Sequence, residues 1–120
     1  NALIKWFDVR SIQGSIDFHA GTQMIMYPWA YTRDVVPADD QLKFEELADL
    51  LSEENGFQTG QISDILYPAV GSSADYYYWK KKTLAFGIEI NNDKNPPLSK
   101  IPEVVHDATE MLWKFIEYKW

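Results

Sequence analysis

The stretch GSIDFHAGTQMIMYPWAYT, Gly14 to Thr32, carries the pattern on which the fold of this chain turns. Ser15-Ile16-Asp17-Phe18 alternates polar and apolar residues, the period of a half-buried strand. His19 stands at its end, and the small residues Ala20 and Gly21 follow. A second apolar run then extends from Met24 to Tyr27, where Pro28 stops it. Two short strands with an ionisable imidazole where packing ought to continue pose two questions: which sheet they join, and what the histidine does there.

Working outward, Ala2, Leu3, Trp6, Phe7 and Arg10 predict the tail of an amphipathic helix already in progress at Asn1, with Gln13-Gly14 as its exit. After a loop through Val36, Pro37-Ala38-Asp39-Asp40 is a helix entry, its carboxylates near the positive end of the macrodipole. Phe44, Leu47, Ala48 and Leu51 recur at i, i+3, i+4, i+7, and Asn55-Gly56 fits a C-terminal stop. Residues 57–73 read as Gly- and Ser-bearing loop around the apolar run Ile65-Leu66-Tyr67, and Ala74 to Lys81 as a short aromatic helix. Thr83 to Ile90, TLAFGIEI, is the strongest strand, and Asn91 to Pro97 is loop. Ser99 is expected to cap a final helix whose apolar positions run from Ile101 to Ile116 at helical spacing. Helices alternating with strands predict an α/β layer arrangement. No repeat, low-complexity tract or internal domain boundary interrupts the 120 residues. Three or four strands are few for two long apolar helix faces, so the chain reads as part of something larger.

Composition bounds the function. Hydrophobic residues make up 46% of the chain, which suits a packed core. A net charge of −7 argues against nucleic acid as a partner, because phosphate-backbone binders concentrate Lys and Arg. The triplet Lys80-Lys81-Lys82 is too small a patch to reverse that. No apolar run is long enough for a membrane helix, so no membrane partner is expected. With no cysteine there is neither a disulfide framework nor a thiolate metal site.

Two residues invite chemistry. His19 at a strand's carboxyl end is either a histidine satisfied by hydrogen bonds, or a metal ligand or acid–base group where α/β folds place their sites. Glu89 puts a carboxylate into an otherwise apolar strand, and an unpaired buried carboxylate is costly. It needs a partner or a task, such as general base, unless it faces solvent. Tyr67 precedes the flexible stretch PAVGSSAD and has the reach to swing over a ligand. His106 on the last helix reads as a solvated residue. The cluster Tyr76 to Trp79 is a stacking platform or, more ordinarily, a helix face packed on the core. A catalytic zinc takes three protein ligands, and two histidines without HExxH, HxxE or cysteine do not supply them. The residues alone stop at one ligand of a larger set.

Four stretches, in order, resemble the C-terminal part of the catalytic domain of zinc metallocarboxypeptidases, the carboxypeptidase A-like M14 family. SIDFHAGTQMIMYPWAYT is similar to the family's strand ending in a zinc-binding histidine, followed by an apolar strand and a Tyr-Pro-aromatic turn. LYPAVGSSADYYY resembles its Tyr-x-Ala-x-Gly-x-Ser-x-Asp-Trp loop and short helix. LAFGIEI resembles the strand that delivers its catalytic glutamate, and the closing helix also has a counterpart. The joint spacing of His19, Tyr67, Asp75 and Glu89 is more specific than any one motif. Ala20 for the usual serine and Tyr76 for the usual tryptophan are the departures within the match.

The resemblance implies an α/β chain forming the C-terminal part of a mixed-sheet, three-layer αβα fold, with residues 1–120 as one portion of a single catalytic domain. It implies that His19 is one ligand of a single zinc ion, and that Glu89 is the general base that takes a proton from the attacking water and passes it to the leaving amine. Tyr67 is then the mobile tyrosine that closes over the substrate's C-terminal end. Ile62, Ala69, Ser72, Ala74 and Gly87 line the pocket for the last side chain. None of the five is charged, which implies a neutral, apolar or aromatic terminal residue. The family's other two zinc ligands, a His-x-x-Glu pair, and the arginines that hold the substrate carboxylate lie upstream and are absent from this sequence. The partners implied are a peptide or peptide-like substrate and the N-terminal part of the catalytic domain, without which the chain is inactive. A secreted or periplasmic location follows from the resemblance alone. The rival expectations are a non-catalytic binding module using Tyr76 to Trp79, and an interaction fragment whose apolar faces complete a partner.

Overall fold

The structure, a computed structural model, describes residues 2–120. Asn1, which the sequence reading includes in the opening helix, lies outside them. In chain order the elements are α1 (Ala2–Asp8), β1 (Gly14–His19), β2 (Thr22–Tyr27), α2 (Ala38–Ser52), β3 (Gln58–Gln61), α3 (Ile62–Ile65), α4 (Ser73–Lys81), β4 (Leu84–Asn91) and α5 (Ile101–Glu117). The four strands form one sheet in the order β1-β4-β2-β3. β1 runs parallel to β4, β2 antiparallel to β4, and β3 parallel to β2. The mixed α/β architecture expected from the sequence is the one observed.

Strand alternation sorts the side chains onto two faces. On one face Ile25, Tyr27, Phe86 and Ile88 meet Phe44, Leu47, Ala48 and Leu51 of α2 and Met111 of α5. Each such large apolar side chain removed from water contributes about 1.5–3 kcal/mol. Phe44 stacks on Tyr27 with ring centroids 5.3 Å apart and meets Phe86 edge-on at 5.5 Å. On the other face Met26 and Ala85 pack with Phe7 of α1, Ile62 of α3, and Ala74 and Tyr77 of α4. Helices therefore cover both faces of the sheet.

The structure departs from the sequence reading at two places. Residues 57–73, read as loop, contain β3 and α3. Gln58-Thr59-Gly60-Gln61 has no apolar alternation to announce a strand, and its pairing partner β2 lies more than 30 residues away in sequence. Ser99 is not the cap of the last helix. It sits inside a 3₁₀ turn, Leu98–Lys100, and α5 begins at Ile101 with no side-chain cap.

Polar contacts tie the helices to the sheet ends. Tyr78 of α4 donates to Asp40 Oδ2 in the first turn of α2 at 2.5 Å, with Lys82 Nζ 3.8 Å from the same oxygen. Lys81 Nζ donates to the carbonyls of Phe7, Asp8 and Arg10 at 2.7–2.9 Å, satisfying the carbonyl end of α1. Lys81 and Lys82 of the lysine triplet thus make contacts within the fold.

Candidate active site

His19 closes β1 and Glu89 lies near the end of β4, and the two are register partners across the parallel pair. Adjacent strands lie about 4.8 Å apart, so these side chains rise side by side from one face. His19 is exposed, and its imidazole makes no hydrogen bond with another described residue. Glu89 Oε2 is buried and likewise finds no partner among the described residues. A buried carboxylate oxygen without a donor is expensive in isolation and marks a group shaped for something else.

One row deeper on the same face, Asp17 of β1 faces Gly87 of β4, and Met26 of β2 faces Gly87 from the other side. These two rows floor a cleft of about 390 Å³ whose lining includes His19, Glu89, Asp17 and Gly87. Its wall and roof come from α3, the following loop and the start of α4: Ile62, Tyr67, Ala69, Ser72 and Ala74. All eight residues singled out from the sequence therefore meet in one cleft. A larger hollow of about 550 Å³, beside Lys43 and Trp120, opens near Gln13 and Leu84 at the far end of β1 and β4, away from His19 and Glu89.

Asp75 positions the roof. It is buried, and its two carboxylate oxygens accept from the backbone N–H of Ala30 at 2.8 Å and of Tyr31 at 3.1 Å. Burial pushes its carboxyl above the ordinary aspartate range while these two N–H groups pull it back. Ala69 N–H donates to Ala30 O at 2.9 Å, so the roof loop and α4 are pinned to the same short segment after β2. The Gln61 amide nitrogen donates to Thr32 O and Asp34 O at 2.9 and 3.1 Å, which anchors that segment from the β3 side. Between the anchors, Tyr67 stands at the rim, 62% exposed, and Gly71 takes the left-handed conformation at φ +86° that few other residues adopt readily.

Sequence reasoning missed Asp17 and Ser73, whose hydroxyl donates to Asp17 Oδ2. The signal was available: Asp17 precedes His19 by two residues on a strand, which places both on one face. The cluster Tyr76 to Trp79 divides. Tyr77 and Tyr78 are buried, while Trp79 is exposed beside Trp29, Tyr31 and Tyr76. His106 is exposed on α5 and does not line the cleft. Among the described residues no group of three His, Cys, Asp or Glu side chains is placed to hold a metal ion, so the donors gathered here are one imidazole with carboxylates beside it.

A family model described as zinc carboxypeptidase matches residues 1–111. Carboxypeptidase A1 of Rattus norvegicus is 32% identical over 88 residues, 68% of this chain and 20% of that protein. The inactive metallocarboxypeptidase ECM14 of Saccharomyces cerevisiae is 26% identical over 119 residues, 89% of this chain and 27% of its own length. The chain thus spans roughly a fifth to a quarter of these curated relatives. Among solved structures, bovine thrombin-activatable fibrinolysis inhibitor, in complex with a tick carboxypeptidase inhibitor, superposes with a TM-score of 0.78 at 23% identity. That match covers 94% of this chain and 41% of the other, and speaks for a shared fold.

Proposed function

The chain belongs to the zinc carboxypeptidase family, and on that premise we propose that it is the C-terminal portion of a single catalytic domain that hydrolyses a C-terminal peptide bond with a metal-activated water. The observation that carries the reading is the unpartnered, buried Glu89 Oε2 beside His19 at the mouth of a shared cleft.

In this reading His19 is one of three protein ligands to one zinc ion, and two further ligands come from protein outside these residues. The fit is partial but chemically apt: an imidazole free of competing hydrogen bonds next to a carboxylate able to act as base. Zinc, when bound, supplies Lewis acidity toward the scissile carbonyl and brings the pKa of water to about 7. Glu89 accepts the proton of the attacking water and returns it to the departing amine. Tyr67, at the end of a roof segment with a left-handed glycine, closes over the substrate's terminus. Ile62, Ala69, Ser72, Ala74 and Gly87 surround the terminal side chain, and none of these five brings a charge of its own. Held alone, the 120 residues lack the donors for turnover. A peptide or peptide-like substrate, and the remaining part of the catalytic domain, are the partners. A secreted or periplasmic location accords with the family resemblance.

A second reading, a non-catalytic binding module, draws on the shallow cleft of about 300 Å³ where Trp29, Tyr31, Tyr76 and Trp79 meet. One substitution separates the two. In the full-length, zinc-loaded protein, Glu89→Gln should lower kcat about 10²–10⁴-fold while an inhibitor directed at the cleft still binds. Undiminished kcat overturns the assignment of Glu89, and absence of any peptidase activity in the parent protein favours the binding module.

A further inference from the structure

The cleft contains a charge that the five pocket residues do not reveal. Asp17 lies one row below the His19–Glu89 pair, and a two-residue step along a strand is about 6.6 Å. With the scissile carbonyl, that of the penultimate residue, between His19 and Glu89, the terminal residue on the departing-amine side would extend its side chain along this row. Room is provided there by Gly87, the register partner of Asp17, because a Cβ added at Gly87 would meet no atom within 4 Å. One carboxylate oxygen of Asp17 accepts from Ser73, and Oδ1 receives no hydrogen bond from any described residue. No lysine or arginine lines the cleft or pairs with Asp17 among the described residues. The cleft around it is lined in part by apolar side chains, Met26 and Ile62 among them.

We infer that Asp17 is a specificity residue, and that the cleft selects terminal side chains carrying an N–H or O–H donor at the far end. The inference rests on the carboxypeptidase reading and deepens it. A half-buried carboxylate with an open oxygen gains from a donor, and an apolar end group would leave that oxygen desolvated and unpaired. The donor has two sources, a neutral group as in tyrosine or glutamine, or a cation as in lysine. Ser73 holds the carboxylate in place through its hydroxyl.

The test uses matched pairs of N-acylated dipeptides that differ in the donor alone or nearly so: lysine against norleucine, tyrosine against phenylalanine, glutamine against methionine. In the full-length, zinc-loaded protein each donor member should show the higher kcat/KM, by about tenfold or more for lysine over norleucine. Reading the ratio within a pair cancels any general loss of activity. Asp17→Asn retains an acceptor for Ser73 and should cut the lysine-to-norleucine ratio about tenfold or more. Ser73→Ala keeps the carboxylate and should retain the order within each pair. Free lysine should likewise inhibit better than free norleucine, a binding readout independent of turnover. Lysine ahead of tyrosine assigns the cationic source, and the reverse assigns the neutral one. Ratios near one, or ratios that Asp17→Asn leaves unchanged, overturn the inference and leave the carboxypeptidase reading standing. Hydrolysis of no member of any pair defeats that reading and the inference with it.

Discussion

Gly87 sets the width of the cleft by what it lacks. Its neighbours across the sheet are Asp17 and Met26, and a side chain on it would rise between them into open space. Gly87→Val should therefore leave the fold intact and obstruct large terminal residues. In the full-length protein we expect kcat/KM for a phenylalanine-terminated substrate to fall about tenfold or more relative to an alanine-terminated one, with an unchanged circular dichroism spectrum. Equal losses for both substrates would place the terminal side chain elsewhere. At this scale the sequence was informative wherever a residue conflicted with its surroundings. Glu89 among apolar neighbours and His19 at a strand end were legible because charge in an apolar pattern demands an explanation. Asp17 escaped notice because an acid at a polar strand position demands none. Its place two residues before His19 sets it on the histidine's face, and the pairing of β1 with β4 sets it opposite Gly87 in the cleft.

Among the elements, α4 carries the greatest structural burden. Its first turn forms part of the cleft roof, Asp75 anchors it to the segment after β2, and Tyr78 ties it to α2 through Asp40. Burial, followed by the hydrogen bond to Asp40, raises the pKa of the Tyr78 phenol far above its usual value. A tyrosine whose pKa is raised on folding holds its proton when the unfolded chain has released its own. The stability it contributes is present below about pH 10 and is lost as pH climbs beyond that. Tyr78→Phe should cost about 1–2 kcal/mol at pH 7, measured by urea denaturation, and should make the alkaline decline shallower. An unchanged pH profile would mean that other buried phenols, such as Tyr27, dominate that decline. The long, periodic α2 and the apolar β4 were legible in the sequence, since period and composition agree there. β3 was not, because four polar residues become a strand through the edge that β2 offers.

For the molecule as a whole, the apolar surface left uncovered is the main physical fact. Among the described residues of α5, Met111 alone is fully buried, while Val105, Leu112, Trp113 and Ile116 are exposed. Leu3, Ile4 and Trp6 of α1 are exposed too. Patches of this kind seek a partner. The 120-residue chain in isolation should associate at tens of micromolar in sedimentation velocity, and Trp113→Glu with Ile116→Glu should shift it toward monomer. A single monomeric species for the parent chain would show that these faces need no cover. The sequence by itself determined the α/β class through its periodicity, and the resemblance carried by its motifs implied the family and eight of the residues that meet in the cleft, because periodicity and motifs are local properties of the chain. Tertiary structure alone decided that β1 lies parallel to β4 and that the strand-like role of residues 58–61 exists at all. It also decided that Asp17, His19, Gly87 and Glu89 share one face in two adjacent rows. Register between strands some 70 residues apart is set by which faces bury together, and no local pattern records that.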